Sequence, residues 1–389
     1  MKCLINCKII LPQGIREDCM ILFDSIIRDI LPADSTLSDV EYIDGQGLYV
    51  SPGLIDVHSH GCIGEDATTS SEEGIRAMCE SVATNGVTSW LPTVMTYPLP
   101  ELSQAFERFR RLYHDCNEHP DTWKGARILG VNMEGPFISK EKKGAHVPEY
   151  IQAPDAEYVK PYQDIIRLLT IAPEVPGGMD FIRDIASSTN IRLAVGHTAA
   201  GYDLANEAFD AGATEVTHLF NAMTGIHHRD PGTAGAALTR QDVYCELIAD
   251  TFHIHKGLFQ LVADCKKDHL VLITDSMRAA GLPDGSYDLG GQTVEVKGIH
   301  CLLPNGTIAG SVLRLNQGVR NLYQNTDLNL WEAIACASLH PARAIGVADR
   351  KGSIEAGKDA DLILIDEDVQ IYKTFVGGKL CYAHSSQDF

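Results

Sequence analysis

Positive charge is scarce in this chain: 32 Lys and Arg stand against 52 Asp and Glu, a formal net charge of -20 at pH 7. Without a basic stripe to neutralise phosphates, nucleic acid and anionic membrane surfaces are excluded as partners. Long apolar runs are missing too. No stretch approaches the roughly 18 to 20 residues that a membrane helix needs, and Met1 to Ile10, with Lys2, Cys3, Asn6, Cys7 and Lys8, lacks the layout of a signal peptide. A cytoplasmic location is expected. Cysteine pairs are also absent: the 11 cysteines run from Cys3 to Cys381 in odd number, with no C-x-x-C spacing. That excludes a disulfide framework and reads as reduced thiols packed as small hydrophobes. Only Cys62, beside a histidine pair, stands near potential chemistry.

What is present is a large apolar fraction, 44% of 389 residues, enough for one barrel-sized domain and a smaller one. Residues 1 to 49 hold short β-like runs (Cys3 to Leu11, Val40 to Ile43, Leu48 to Val50) separated by Pro12-Gln13-Gly14 and Asp44-Gly45-Gln46-Gly47 turns. The far end matches, with a strand at Leu362 to Ile365 and a hairpin signal at Gln370 to Gly378. A small discontinuous β domain, a sandwich formed by 1–51 and 350–389, is expected to enclose a domain spanning 52–349.

Within 52–349 strand and helix alternate. Strands are expected at Leu54 to Val57, Val87 to Val94, Arg127 to Met133, Ile165 to Ala172, Ile191 to Val195, Glu215 to Thr217, Tyr244 to Ala249 and Leu270 to Thr274. Ser71 can cap the helix that follows the first strand. Eight strands joined by crossovers make a parallel (β/α)8 barrel of the TIM type the economical fold. Metal-type side chains stand where strands stop. His58 and His60 end the first; because strand residues two apart share a face, both imidazoles can meet one ion. Glu134 ends the third strand, His197 the fifth, His218 the sixth and Asp275 the eighth. Singly each has an ordinary alternative: Glu134 or Asp275 as a helix cap, His197 as a turn residue. Together they fall at the C-terminal strand ends, which converge on one face of such a barrel.

The run Asp56-Val57-His58-Ser59-His60-Gly61 resembles the first-strand signature of the amidohydrolase superfamily. More specifically, several blocks resemble the N-acetylglucosamine-6-phosphate deacetylases. These are Glu134-Gly135-Pro136-Phe137-Ile138-Ser139, Lys143-Gly144-Ala145-His146, Ala172-Pro173-Glu174, Gly196-His197-Thr198, His218-Leu219-Phe220-Asn221-Ala222-Met223, Thr274-Asp275 and Ile308-Ala309-Gly310-Ser311. The resemblance implies hydrolysis of the acetamide of a phosphosugar by a divalent metal, zinc or iron(II). Glu134, His197 and His218 would hold the main ion. Some members lack the first histidine pair and use one ion; here His58 and His60 allow a second, bridged through Glu134. Relatives outside this group bridge with a carbamylated lysine, and no lysine ends a strand here.

The same resemblance makes Asp275 the general base and a metal-site residue, and makes His146 the donor that polarises the acetyl carbonyl. Ala145, Asn221, the backbone of Ala222, Arg229, His253, Ile308, Ala309 and Gly310 would contact substrate. Arg229 would reach the phosphate across a homodimer interface. Two departures stand out. Asp250-Thr251-Phe252-His253 carries Thr where the family usually has Gly, which allows φ > 0, and Arg278 after the general base has no assigned role. The sequence does not separate the gluco from the galacto 6-phosphate. Two other classes fit less well: an amidohydrolase acting on a cyclic amide or purine, disfavoured by Glu134 in the bridging place, and an inactive binding scaffold, disfavoured by the intact six-residue set.

Overall fold

A computed structural model describes residues 1–384; positions 385–389 of the expected 350–389 segment lie outside the described residues. Eight parallel strands form the central ring: β1 (Leu54–Ser59), β2 (Val87–Val94), β3 (Val131–Glu134), β4 (Ile166–Ile171), β5 (Arg192–Val195), β6 (Glu215–Val216), β7 (Tyr244–Ile248) and β8 (Leu270–Ile273), paired in that order. Barrel strands are covered on both faces, and β2 is buried at every position, its Thr88, Ser89 and Thr93 included. Ile55, Val57, Leu91, Leu168, Ala194, Ile248 and Val271 form a cluster of their own. Strands on opposite sides of the ring meet this way only across its axis. A larger cluster joins the outer strand faces to the helices, among them Ile75, Phe106, Ile182, Phe209 and Val262.

Closure between β8 and β1 is by single bonds rather than a ladder. Asp275 N–H donates to His58 carbonyl at 2.9 Å, while Cys336 and Ala337 carbonyls receive Leu272 N–H and Ile55 N–H, each at 2.8 Å. Thr274 Oγ1 adds a bond to Asp56 Oδ2 at 2.6 Å.

Local chemistry explains the main boundaries. Ser71 caps the helix Glu72–Ala83, accepting from Gly74 N–H. The helix after β2 spans Leu99–Glu118. The run expected as one strand from Arg127 to Met133 is two, Arg127–Ile128 and Val131–Glu134, because Gly130 turns to φ 140 between them. Helices that were not foreseen include Ala156–Val159, Gly232–Thr239, Leu315–Gln324, Leu330–Ala335 and Leu339–Ala344.

The small β unit has two sheets packed around Leu4, Ile9, Ile21, Phe23, Val50, Leu364 and Phe375. The run Cys3 to Leu11 serves both. Asn6, at φ 52, breaks it, so Lys2–Ile5 joins the four-stranded sheet and Lys8–Leu11 the six-stranded one. In the latter, Tyr49–Pro52 pairs with Leu362–Ile365, tying the two chain ends together. No helix among the described residues is long and apolar enough to cross a membrane.

Candidate active site and metal centre

Glu134, at the end of β3, is the hub of the barrel mouth. Its Oε1 lies 2.9 Å from His218 Nε2, 3.0 Å from His197 Nε2 and 3.3 Å from His58 Nε2. Its Oε2 lies 3.2 Å from both His60 Nε2 and His146 Nε2. Asp275 Oδ1 stands 3.2 Å from His60 Nε2 and 3.6 Å from His58 Nε2. All six residues named at the strand ends therefore meet at one place. The chain can bend there because Gly135 follows Glu134 directly at φ 88, where a Cβ would fall 2.1 Å from Thr96 Oγ1. His197, His218 and Asp275 are themselves left-handed, at φ 46, 29 and 48. Such conformations cost on the order of 1 to 3 kcal/mol each and gather at functional sites.

Two groups of three have donor atoms within 4.8 Å of one another: His58, His60 and Asp275, and Glu134, His146 and His197. The outer nitrogen of each ring tells ligands from donors. His58 Nδ1 faces Glu246 Oε2 at 3.0 Å, His60 Nδ1 the Thr93 carbonyl at 3.1 Å, His197 Nδ1 the Lys142 carbonyl at 2.9 Å and His218 Nδ1 the Asn221 carbonyl at 3.1 Å. Each partner is an acceptor, so Nδ1 keeps its hydrogen and Nε2 is the coordinating nitrogen. His146 is the reverse. Thr96 N–H donates to its Nδ1 at 3.3 Å, which leaves the hydrogen on Nε2. It is thus a hydrogen-bond donor at the rim, and His218, 3.0 Å from His197 Nε2, completes the set around Glu134 Oε1.

Electrostatics point the same way. Burial disfavours charge on His58 and His60, yet the surrounding carboxylates outweigh it, holding His58 well above the usual imidazole range and His60 at about 9. Burial would raise Asp275, but the His60 bond and the charge of His58 hold it at about 2. His146 is pushed down to about 4 by burial and by His197, and stays neutral. The centre thus gathers positive charge, as protons when no ion is there, and a divalent cation replaces those protons. Tetrahedral bonds of about 2.0 to 2.1 Å place donors roughly 3.3 Å apart, close to the spacing found here. Nitrogen donors mixed with carboxylate fit zinc or iron(II).

The mouth opens into a cavity of about 490 Å³. Ala145, Asn221, Ala222, His253, Ile308 and Gly310 line it as expected. Ala309 does not; it is fully buried behind the wall with Met277 and Leu289, its N–H bonded to Cys301. Arg229, expected to contact substrate, does not line this cavity. It sits on an exposed loop with Nη1 2.6 Å from His228 Nε2, next to Ile226, which is 51% exposed. Thr251 keeps the left-handed geometry, at φ 68, despite its Cβ. Asp250 holds that turn: Oδ1 accepts Phe252 and His253 N–H at 2.8 Å each, and Oδ2 lies 2.7 Å from His253 Nδ1. Arg278 lies 3.5 Å from Asp288 and 3.8 Å from Asp66, bracing the excursion of Gly285–Leu289, Gln292–Lys297 and His300–Leu302 against the barrel. Cys62 lies outside this cavity with its thiol pushed up to about 11 by burial, so it supplies no thiolate.

Sequence reasoning missed the supporting carboxylates. Glu246 and Glu215 sit in short apolar strands, fully buried. Burial and the adjacent Glu246 push Glu215 well above the carboxylate range. Asp56 is pushed up to about 6 by burial, despite its bonds from Thr274. The signal was available: a lone acid inside a run such as Tyr-Cys-Glu-Leu-Ile is costly unless it has a task.

A parallel barrel that turns imidazole lone pairs and carboxylates onto one point at its mouth is the architecture of a metal-dependent hydrolase. The profile of the amidohydrolase family matches residues 49–381, and the chain belongs to that family. It is 37% identical over 347 residues to the N-acetylglucosamine-6-phosphate deacetylase of Lysinibacillus sphaericus, covering 88% of this chain and 87% of the relative. It is 36% identical over 363 residues to the N-acetylgalactosamine-6-phosphate deacetylase of Escherichia coli O157:H7, covering 92% and 93%. The crystal structure of the N-acetylglucosamine-6-phosphate deacetylase from Pasteurella multocida superposes with a TM-score of 0.91 at 32% identity, covering 98% of this chain and 100% of that one.

Proposed function

We propose that this chain hydrolyses the acetamide of N-acetylglucosamine 6-phosphate to glucosamine 6-phosphate and acetate. The observation that carries the reading is the split among the five histidines around Glu134: four present a coordinating Nε2 and one, His146, an Nε2–H. Amide hydrolysis needs both kinds. Glu134, His197 and His218 would hold a divalent ion, zinc or iron(II), and His58 and His60 a second; such ions would supply a Lewis acid and a water acidic enough to act at neutral pH.

The remaining work falls to the chain. Asp275 takes the proton of the attacking water and returns it to the amine nitrogen as the carbon–nitrogen bond breaks. His146 Nε2–H donates to the acetyl oxygen as negative charge builds there. His253, turned by Asp250, joins Asn221 and the Ala222 backbone in holding the sugar phosphate. Arg229, on its exposed loop, contributes to the partner subunit's site in a homodimer. Ala145, Ile308 and Gly310 shape the wall around the sugar. Ala309 acts only by holding Ile308 and Gly310 in place. In this reading 52–349 is the catalytic barrel, and 1–51 with 350–389 its β-sandwich support.

Similarity to an N-acetylgalactosamine-6-phosphate deacetylase supports a second reading, action on N-acetylgalactosamine 6-phosphate. Steady-state acetate release from both 6-phosphates, with metal analysis of the same sample, decides between them. A higher kcat/KM on the gluco substrate is expected. Preference for the galacto epimer would transfer the assignment, and no turnover of either would overturn it.

A further inference from the structure

Glu246 lies within β7, fully buried, and neither proton transfer uses it. Its Oε2 accepts two bonds, from His58 Nδ1–H at 3.0 Å and from the His218 backbone N–H at 2.9 Å. Its own carbonyl accepts Leu219 N–H at 2.8 Å. These bonds take hold where β6 has stopped at Val216 and the chain bends to φ 29 at His218. The other carboxylate oxygen, Oε1, has no hydrogen-bond partner among the described residues. One side chain therefore grips a ligand of each ion position, from behind the site and out of reach of substrate.

We propose that Glu246 is a positioning residue that links the two ion positions: it aims His58 Nε2 at the second while pinning the turn that presents His218 to the main one. The inference rests on the two-ion reading above. An acceptor behind a coordinating imidazole fixes the ring and raises its basicity, and losing one typically weakens metal binding by about 10- to 100-fold. Oε2 serves both grips at once, so the change should be felt differently according to what replaces it. In Glu246→Gln the amide oxygen can still accept both bonds, but the negative charge behind His58 is gone. In Glu246→Leu there is no acceptor at all, and the His218 N–H is left buried and unpaired.

The test is titration of zinc(II) into metal-free protein against a chromophoric chelator, with thermal melting of the same samples. The parent chain should take up two ions per subunit with separable affinities. In Glu246→Gln the weaker ion should bind about 10- to 100-fold less tightly, with the tighter one changed by less than about threefold. Glu246→Leu should weaken both; if that variant does not fold, Glu246→Gln decides alone. Two ions bound with parental affinities in a folded Glu246→Gln variant, even one that melts earlier, would reduce Glu246 to a packing role and overturn the inference while sparing the two-ion reading. Uptake of a single ion by the parent chain would overturn both.

Discussion

Replacing Asp275 by Asn isolates one proton from everything else the site does. The backbone at this position is held from both sides, by Asp275 N–H to the His58 carbonyl at 2.9 Å and by Ser311 N–H to the Asp275 carbonyl at 2.8 Å. Its φ of 48 is one that Asn adopts about as readily as Asp. Shape, fold and the ligands around Glu134 should therefore survive, and the melting temperature should move by only a few degrees. The amide cannot accept the proton of the attacking water or return it to the amine. A general base contributes typically about 10²- to 10⁴-fold, or roughly 2.7 to 5.4 kcal/mol of barrier at about 1.36 kcal/mol per decade. Acetate release from the 6-phosphate substrate should fall by that factor in kcat, with metal content unchanged and KM changed much less. A folded, metal-loaded variant with near-parental kcat would place the base elsewhere. Loss of metal together with activity would make Asp275 chiefly a ligand.

Further outcomes follow from the same geometry. His58→Gln with His60→Asn should lower metal content without emptying the site, as atomic absorption will report; complete loss would mean that Glu134, His197 and His218 do not hold an ion by themselves. Arg229→Ala should lower kcat/KM on the 6-phosphate at least about tenfold, as expected for a charge-assisted phosphate contact, and leave the unphosphorylated N-acetyl sugar nearly untouched. Mixing Arg229→Ala with Asp275→Asn protomers should restore activity in hybrid dimers, because one site then has both groups; proven hybrids without recovery would exclude a contribution across the interface.

Much of this site can be read from sequence because ligand types at strand ends carry their own address. Once β1, β3, β5, β6 and β8 are laid in a parallel ring, His58, His60, Glu134, His197, His218 and Asp275 have one place to meet. Residues acting through a loop are harder to place. Ile308, Ala309 and Gly310 stand in one block, yet only the outer two reach the cavity: Ala309 faces away from it, buried, with its N–H on the Cys301 carbonyl. Thr251 misleads for a related reason: the turn depends less on which residue has φ > 0 than on the Asp250 carboxylate that ties it. Glu246 escaped notice because a helix-and-strand reading asks whether a residue is apolar enough for its strand, and treats an acid there as noise.

The interleaved ends of the chain bear on its synthesis. Tyr49–Pro52 lies two residues before β1, yet one side of it is paired by Leu362–Ile365. Translation at roughly 5 to 20 residues per second leaves that side waiting for something like 15 to 60 seconds while about 300 residues emerge. Through that interval a strand with Val50 in its middle offers unmatched N–H and C=O groups to any other nascent chain. A chain truncated before Leu362 therefore lacks the strand that covers this edge. The last strands made act as the latch on the first.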